Sequence, residues 1–178
     1  MTGLAKEYGD GLYELARDER LLDELHTELL QIDALLKAEP DFLRLLSSRA
    51  IERDSRVKVV DDTFGGRAHH YVVNFMKLLV EKERIDCLPD SVKHFHKRYM
   101  DDLGIVEAFV TSAVPLTEND QEALRQKLER MSKKKVALIA TVDAALIGGV
   151  RVEMDGRRYD NTIQNKLGRL RQRMTHSL

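Results

Sequence analysis

The side chains in this sequence that could do chemistry are its histidines, its lone cysteine and its basic clusters. His69-His70 and the pair His94, His96 are the candidates for metal ligation. Both pairs fall in helical patterns, where adjacent and i, i+2 positions point to different sides. Neither pair therefore makes a chelating face. Cys87 has no second thiolate to work with, and the histidines read as helix-surface residues. Leu146 to Gly149, reading LIGG, lacks the Gly-Lys-Ser/Thr ending of a P-loop and the GxGxxG of a dinucleotide fold. Ser91, Ser112 and Ser132 have no GxSxG context. The many carboxylates are spaced as solvated helix faces, and no pair stands out as acid and base. No catalytic residue, cofactor or metal is expected.

Lysines and arginines gather at Lys133–Lys135 and at Lys166, Arg169, Arg171 and Arg173. A solvated face is the plainest reading, an acidic partner surface comes next, and nucleic acid comes last. The clusters lack the interleaved aromatics of a stacking platform. A net charge of −1 gives no global attraction to nucleic acid or anionic membrane. One cysteine excludes an internal disulfide framework and suits a reducing cytoplasm. The start, MTGLAKEYGDG, has no apolar signal-peptide core. No apolar run approaches the ~20 residues of a spanning helix. A soluble protein is expected, reaching a membrane only through a partner.

The 178 residues allow one domain or two small ones. Three prolines and no tryptophan favour helix over a loop-rich β fold. The first helix is expected over residues 4–19, with Leu4, Tyr8, Leu12 and Leu15 on one stripe. Gly9 and Gly11 each weaken it by about 1 kcal/mol. They serve either tight packing inside the domain or a groove that admits a partner helix.

From Leu21 to Lys37 the stripe is Leu22, Leu25, Leu29, Ile32 and Leu36. Leu21, Leu30 and Leu35 widen it, which predicts two neighbours. Pro40 opens a short helix carrying Phe42, Leu43, Leu45 and Leu46. A fourth helix is expected over Glu52 to Phe64, and Gly65-Gly66 ends it. The fifth runs from about Arg67 to Lys82 and is apolar nearly all round, which marks a central helix or a docking face. The sixth runs from about Pro89 to Leu103, with Gly104 as its stop.

After Gly104 the period changes from helix to strand. Val106, Ala108 and Val110 alternate with polar residues. Thr117 caps a helix with Ala123, Leu124, Leu128 and Met131 inward. Val136, Leu138, Ala140 and Val142 form the inner face of the next strand. Val142 to Asp160, VDAALIGGVRVEMDGRRYD, then holds two strand patterns joined by Asp155-Gly156, a strong hairpin signal. Gly148-Gly149 implies a bulge or a close approach by another backbone. A final helix is expected from Asn161 to Met174, with Ile163, Leu167, Leu170 and Met174 aligned. The fold class is therefore mostly α: a six-helix N-terminal domain over residues 1–104, then a small α+β domain over 105–178.

This order of features resembles a known family. The YGDGLYELA helix (Tyr8 to Ala16), the AVPLTE stretch (Ala113 to Glu118) and the closing VDAALIGGVRVEMDGRRYDNTIQNKLGRLRQRM are similar to the delta subunit of the bacterial ATP synthase, counterpart of the mitochondrial oligomycin-sensitivity-conferring protein. The likeness covers essentially the whole chain and is most specific at its C-terminal block. Ala144-Ala145 stand where the family often has Pro-Ser, and Gly9 and Gly11 where it commonly has Ala.

The resemblance implies a non-catalytic stator subunit, peripheral on the cytoplasmic face of the cell membrane. Its N-terminal domain would bind the N-terminal helix of an alpha subunit between its first and fifth helices. Its C-terminal part would hold the C-terminal region of the b subunit. Together with stripe counting, it nominates Tyr8, Gly11, Leu12 and Leu15 on the first helix and Phe75, Met76 and Leu79 on the fifth as partner-binding residues. A nucleic-acid-binding module using the basic last helix is the alternative.

Overall fold

The computed structural model describes residues 3–167. The chain divides into two compact units, between Tyr99 and Met100. Helices account for most of the chain, with one four-stranded sheet in the second unit.

The first unit is helical. α1 is Gly3–Asp18, α2 Leu22–Ala38, α3 Pro40–Ser47, α4 Arg53–Phe64, α5 His70–Glu81 and α6 Leu88–Asp102, with a 3₁₀ turn at Ile85–Cys87 before α6. Twenty buried apolar side chains from all of these elements form one continuous core. Tyr13, Phe95, Leu25, Leu29, Leu46, Met76 and Leu79 are its largest fully interior members.

Several stripes sit differently from expectation. On α1 the interior residues are Ala5, Gly9, Leu12, Tyr13 and Ala16, while Leu15 is half-exposed. The inward face is rotated towards the small residues because these permit close helix packing. On α2 the flanking Leu30 and Leu35 face solvent, and the second buried row is polar, with His26 and Asp33. Arg56 of α4 is interior as well. Its guanidinium donates to the carbonyls of Leu46 (3.0 Å) and Ile51 (3.1 Å), satisfying groups at and beyond the end of α3. α5 begins at His70, with His69 as its cap, because residues 65–68 are taken up by the turn after α4.

The second unit orders its strands β2-β1-β3-β4. β1 (Ile105–Ser112) and β2 (Lys135–Val142) run parallel, joined through α7 (Glu118–Ser132). β3 (Val150–Met154) lies antiparallel to β1, and β4 (Arg157–Asp160) antiparallel to β3. The hairpin turn is where the sequence places it. Asp155 and Gly156 both have positive φ, 52° and 70°, the signature of a type I′ turn.

Val106, Ala108, Val110, Val136, Val152, Met154 and Leu128 form the core of this unit. Of the expected α7 stripe, Leu128 is buried and Leu124 partly so, while Ala123 and Met131 face solvent. The inner face of β2 is covered at Val136 and partly at Leu138. Ala140 and Val142 are exposed, because the buried face of α7 extends no further than its Leu124–Leu128 segment. Residues 163–167 are helical, with Ile163 and Leu167 half-exposed. The rest of the expected last helix, with Leu170, Met174, Arg169, Arg171 and Arg173, lies outside the described residues.

Candidate functional site

Two places bring chemistry and shape together through long-range packing: the α1 face of the helical unit, and the block that closes the sheet.

On α1, the 3.6-residue repeat lines up Tyr8, Gly11 and Leu15. Tyr8 is half-buried and meets Phe75 of α5 edge to face, with ring centroids 6.4 Å apart. Gly11 is exposed, and a Cβ there would meet nothing within 4 Å. Leu15 is 37% exposed, so it presents an apolar ridge to solvent. Leu12 and Phe75 are buried, and Met76 and Leu79 are wholly interior. The seven nominated residues thus fall into two sets. Tyr8, Gly11 and Leu15 lie on the outward side of α1, and Leu12, Phe75, Met76 and Leu79 belong to the buried core of the unit.

The opposite side of α1 is fixed to α6. A Cβ on Gly9 would lie 2.7 Å from the Ser91 carbonyl oxygen and 3.1 Å from the His94 Cβ. That is closer than a side chain allows, so glycine is what lets the helices approach. Beside it, Asp10 accepts from His94 Nε2 (3.0 Å) and Arg98 (2.9 Å), and Arg98 also donates to Glu14 (2.8 Å). Arg98 lies over the Tyr13 ring, 4.4 Å from its centroid. Burial alone would raise the Asp10 carboxyl, but the hydrogen bonds and charges of Arg98 and His94 outweigh it and hold it below its ordinary value.

Three of the four histidines that drew attention in the sequence make structural links, while His70 is exposed at the start of α5. His94 faces α1. His96, two positions on, faces α2, where its Nδ1 lies 2.7 Å from His26 Nε2. His26 in turn stacks on Tyr99 at 3.9 Å, and Tyr99 donates to Asp23 (2.6 Å). His69 accepts from the Tyr71 amide at the start of α5, and its own amide donates to Glu28. The i, i+2 spacing separates His94 from His96, as helical geometry requires, but His94 and His96 tie helices together rather than ride on the surface. Among the described residues no group of three or more His, Cys, Asp or Glu side chains is placed to hold a metal.

In the sheet unit, the backbone after β4 crosses the Gly148-Gly149 pair. Asn161 N–H donates to the Val150 carbonyl (3.0 Å) and Ile163 N–H to the Gly148 carbonyl (3.0 Å). Gly149 has φ +86°, and a Cβ there would overlap the Asn161 carbonyl and lie 2.9 Å from the Thr162 Cα. Of the two roles expected for these glycines, close backbone approach is the one taken.

Asp160 locks the crossing. It accepts from the Thr162 hydroxyl (2.6 Å), the Thr162 amide (3.1 Å) and Arg151 (3.1 Å). The two Thr162 hydrogen bonds, with a smaller part from Arg151, take its carboxyl down from 3.8 to about 2. Sequence reading passed over Asp160, Thr162, Arg56, Arg98 and His26. An Asp-x-Thr just before a helix start was the one local signal available for any of them.

Comparison with known proteins places these features in a family context. The family model described as "ATP synthase delta (OSCP) subunit" matches residues 4–174. The ATP synthase subunit delta of an Exiguobacterium species is 33% identical, over 99% of this chain and 99% of its own length. That of Rhodospirillum rubrum is also 33% identical, over 96% and 92%. Among solved structures, a chain of the cryo-EM composite structure of the Toxoplasma gondii mitochondrial ATP synthase hexamer superposes with a TM-score of 0.77, at 17% identity, covering 98% of both chains.

Proposed function

Because this chain belongs to the ATP synthase delta (OSCP) subunit family, a non-catalytic stator component of ATP synthase, we propose that it works as a two-ended adaptor between the catalytic head and the peripheral stalk. The helical unit, as a six-helix bundle over residues 1–104, receives the N-terminal helix of an alpha subunit. The α+β unit, residues 105–178, holds the C-terminal region of the b subunit. No helix among the described residues is long and apolar enough to cross a membrane. Membrane association, on the cytoplasmic face, comes through the complex, and no nucleic acid takes part.

The observation that carries this reading is the family match along nearly the whole chain. Geometry supports its first half. An amphipathic guest helix needs a notch for its backbone and apolar ridges for its anchors. Gly11 offers the notch, with Tyr8 and the half-exposed Leu15 to either side along α1. Leu12, Phe75, Met76 and Leu79 belong to the core of the same unit, and Phe75 meets Tyr8 directly.

The test is titration of the full chain with a peptide of the first ~20 residues of its own alpha subunit. Binding is expected at micromolar concentration or tighter. Leu15→Ala, at an exposed position, should leave the fold intact and weaken binding by ~2 kcal/mol, about thirtyfold. Absence of binding at micromolar concentration, or indifference to both Leu15→Ala and Gly11→Leu, sinks the reading.

A further inference from the structure

β2 is an edge of the sheet, since among the described residues it pairs only with β1. Its outer side can be read from the hydrogen-bond phase. Lys135 N–H donates to the Gly104 carbonyl (3.2 Å), and just past the strand Asp143 N–H donates to the Ser112 carbonyl (2.9 Å). Odd-numbered residues therefore turn their backbone groups towards β1. The alternation of a strand turns those of Val136, Leu138, Ala140 and Val142 the other way. Val136 N–H is already taken by Glu129 Oε1 (3.2 Å). Among the described residues Leu138, Ala140 and Val142 remain, three alternate residues whose outward amides and carbonyls are in register for another strand.

The usual protections of an edge are missing here. Residues 138–142 read LIATV, without proline or charge. Side chains on both faces are open, with Ile139 at 38% and Val142 at 55% exposure. Charge is concentrated instead where the strand begins. Lys133, Lys134 and Lys135, with Arg130 and Arg125 of α7, line a broad surface concavity. Glu129 lines it too and is engaged by the Val136 amide, Arg125 pairs with Glu122, and Lys134 lies 3.8 Å from Asp101.

We infer that β2 is a docking edge for an extended segment of a partner polypeptide, which adds as a fifth strand antiparallel to β2 and places carboxylates of its C-terminal end over Lys133–Lys135. Backbone hydrogen bonds to Leu138, Ala140 and Val142 supply the affinity, and the cations set direction. A second copy of this chain is the poorer occupant. Antiparallel self-pairing centred on Ala140 would set Lys135, Lys134 and Lys133 opposite Ala145, Leu146 and Ile147, with no carboxylate to meet them. The inference concerns the sheet unit alone and stands whatever the helical unit binds.

The probe is the peptide Thr-Val-Thr-Val-Thr-Val-Glu-Glu-Glu, added to the full chain. Binding and amide exchange are read by fluorescence anisotropy and NMR. The expected result is binding at micromolar concentration, with exchange at Leu138, Ala140 and Val142 slowed about tenfold or more. Ala140→Pro removes an amide that serves no bond to β1, a position where an edge strand tolerates proline. It should weaken binding at least about tenfold while the β1 ladder keeps its protection. N-methylation of alternate peptide residues should do the same without touching the protein, so a folding defect in Ala140→Pro cannot mask the answer. Placing the glutamates at the other end of the peptide should also weaken it. Failure to slow those three amides, or binding indifferent to N-methylation, overturns the inference. So does a chain that dimerises through β2 without peptide, because the occupant is then a second copy.

Discussion

The helical unit and the sheet unit close their apolar surface by different means. Among the described residues, twenty interior side chains from the six helices and the 3₁₀ turn make the core of the first, and seven make the core of the second. The helical unit has redundancy, because all its helices and the 3₁₀ turn contribute to one core cluster. The sheet unit depends on few residues: Leu128 is the one fully buried side chain of α7, and a single backbone crossing closes the block at Gly149. The difference suits the adaptor role proposed above, in which a thick core would seat a guest helix and a thinner one would leave backbone edge for another chain to complete.

The comparison can be broken most directly by making the same substitution in both cores. Leu25→Ala and Leu128→Ala each remove a buried leucine and should each cost about 3 kcal/mol. Leu25→Ala is expected to lower the melting temperature of the helical unit yet leave it folded. Leu128→Ala is expected to unfold the sheet unit alone at room temperature, seen as loss of protection in β1–β4 with α1–α6 unchanged. Equal resilience of the two units would remove the contrast.

Gly149→Ala comes next. A left-handed φ and overlap with the Asn161 carbonyl should together cost about 2 kcal/mol or more, confined to the sheet unit. Chemical denaturation followed by unit-resolved NMR checks this.

The two glycines of α1 sharpen the comparison within one helix. Gly9→Ala pushes α1 from α6 and should destabilise the helical unit by about 1–2 kcal/mol. Gly11→Ala meets open space and should stabilise it by about 0.5–1 kcal/mol through helix propensity. The same sign for both, in thermal melts, would contradict the assigned roles.

The last contrast is in pH. Asp160 is held at about 2 in the folded chain against 3.8 ordinarily, so it is the unfolded chain that takes up a proton first on acidification. Its contribution is complete above pH ~4–5 and is lost as the pH falls towards about 2. Asp160→Asn should flatten that part of the stability curve for the sheet unit and leave the helical unit's acid response as it was, measured by urea midpoints between about pH 5 and 2.

Much of this organisation could be read before any coordinates. The positions of the helices followed from apolar spacing. The change of period after Gly104 announced strands, and Asp155-Gly156 announced the hairpin, because each of these signals is local. Thr117 was legible as a cap for the same reason, and its hydroxyl accepts from the Asp120 amide at 3.2 Å.

What sequence left open depends on which neighbour a residue meets. Gly9 and Gly11 have the same propensity, and only the position of α6 makes one indispensable and the other free. His94 and His96 read as surface residues until α1 and α2 brought Asp10 and His26 to them across 84 and 70 residues of chain. Ala140 and Val142 carry the pattern of an inner strand face, yet the reach of α7 and the strand order leave them at an open edge. Local chemistry writes the elements into the sequence. Their faces are assigned only once distant segments pack, since exposure, close approach and unpaired backbone are properties of pairs of elements.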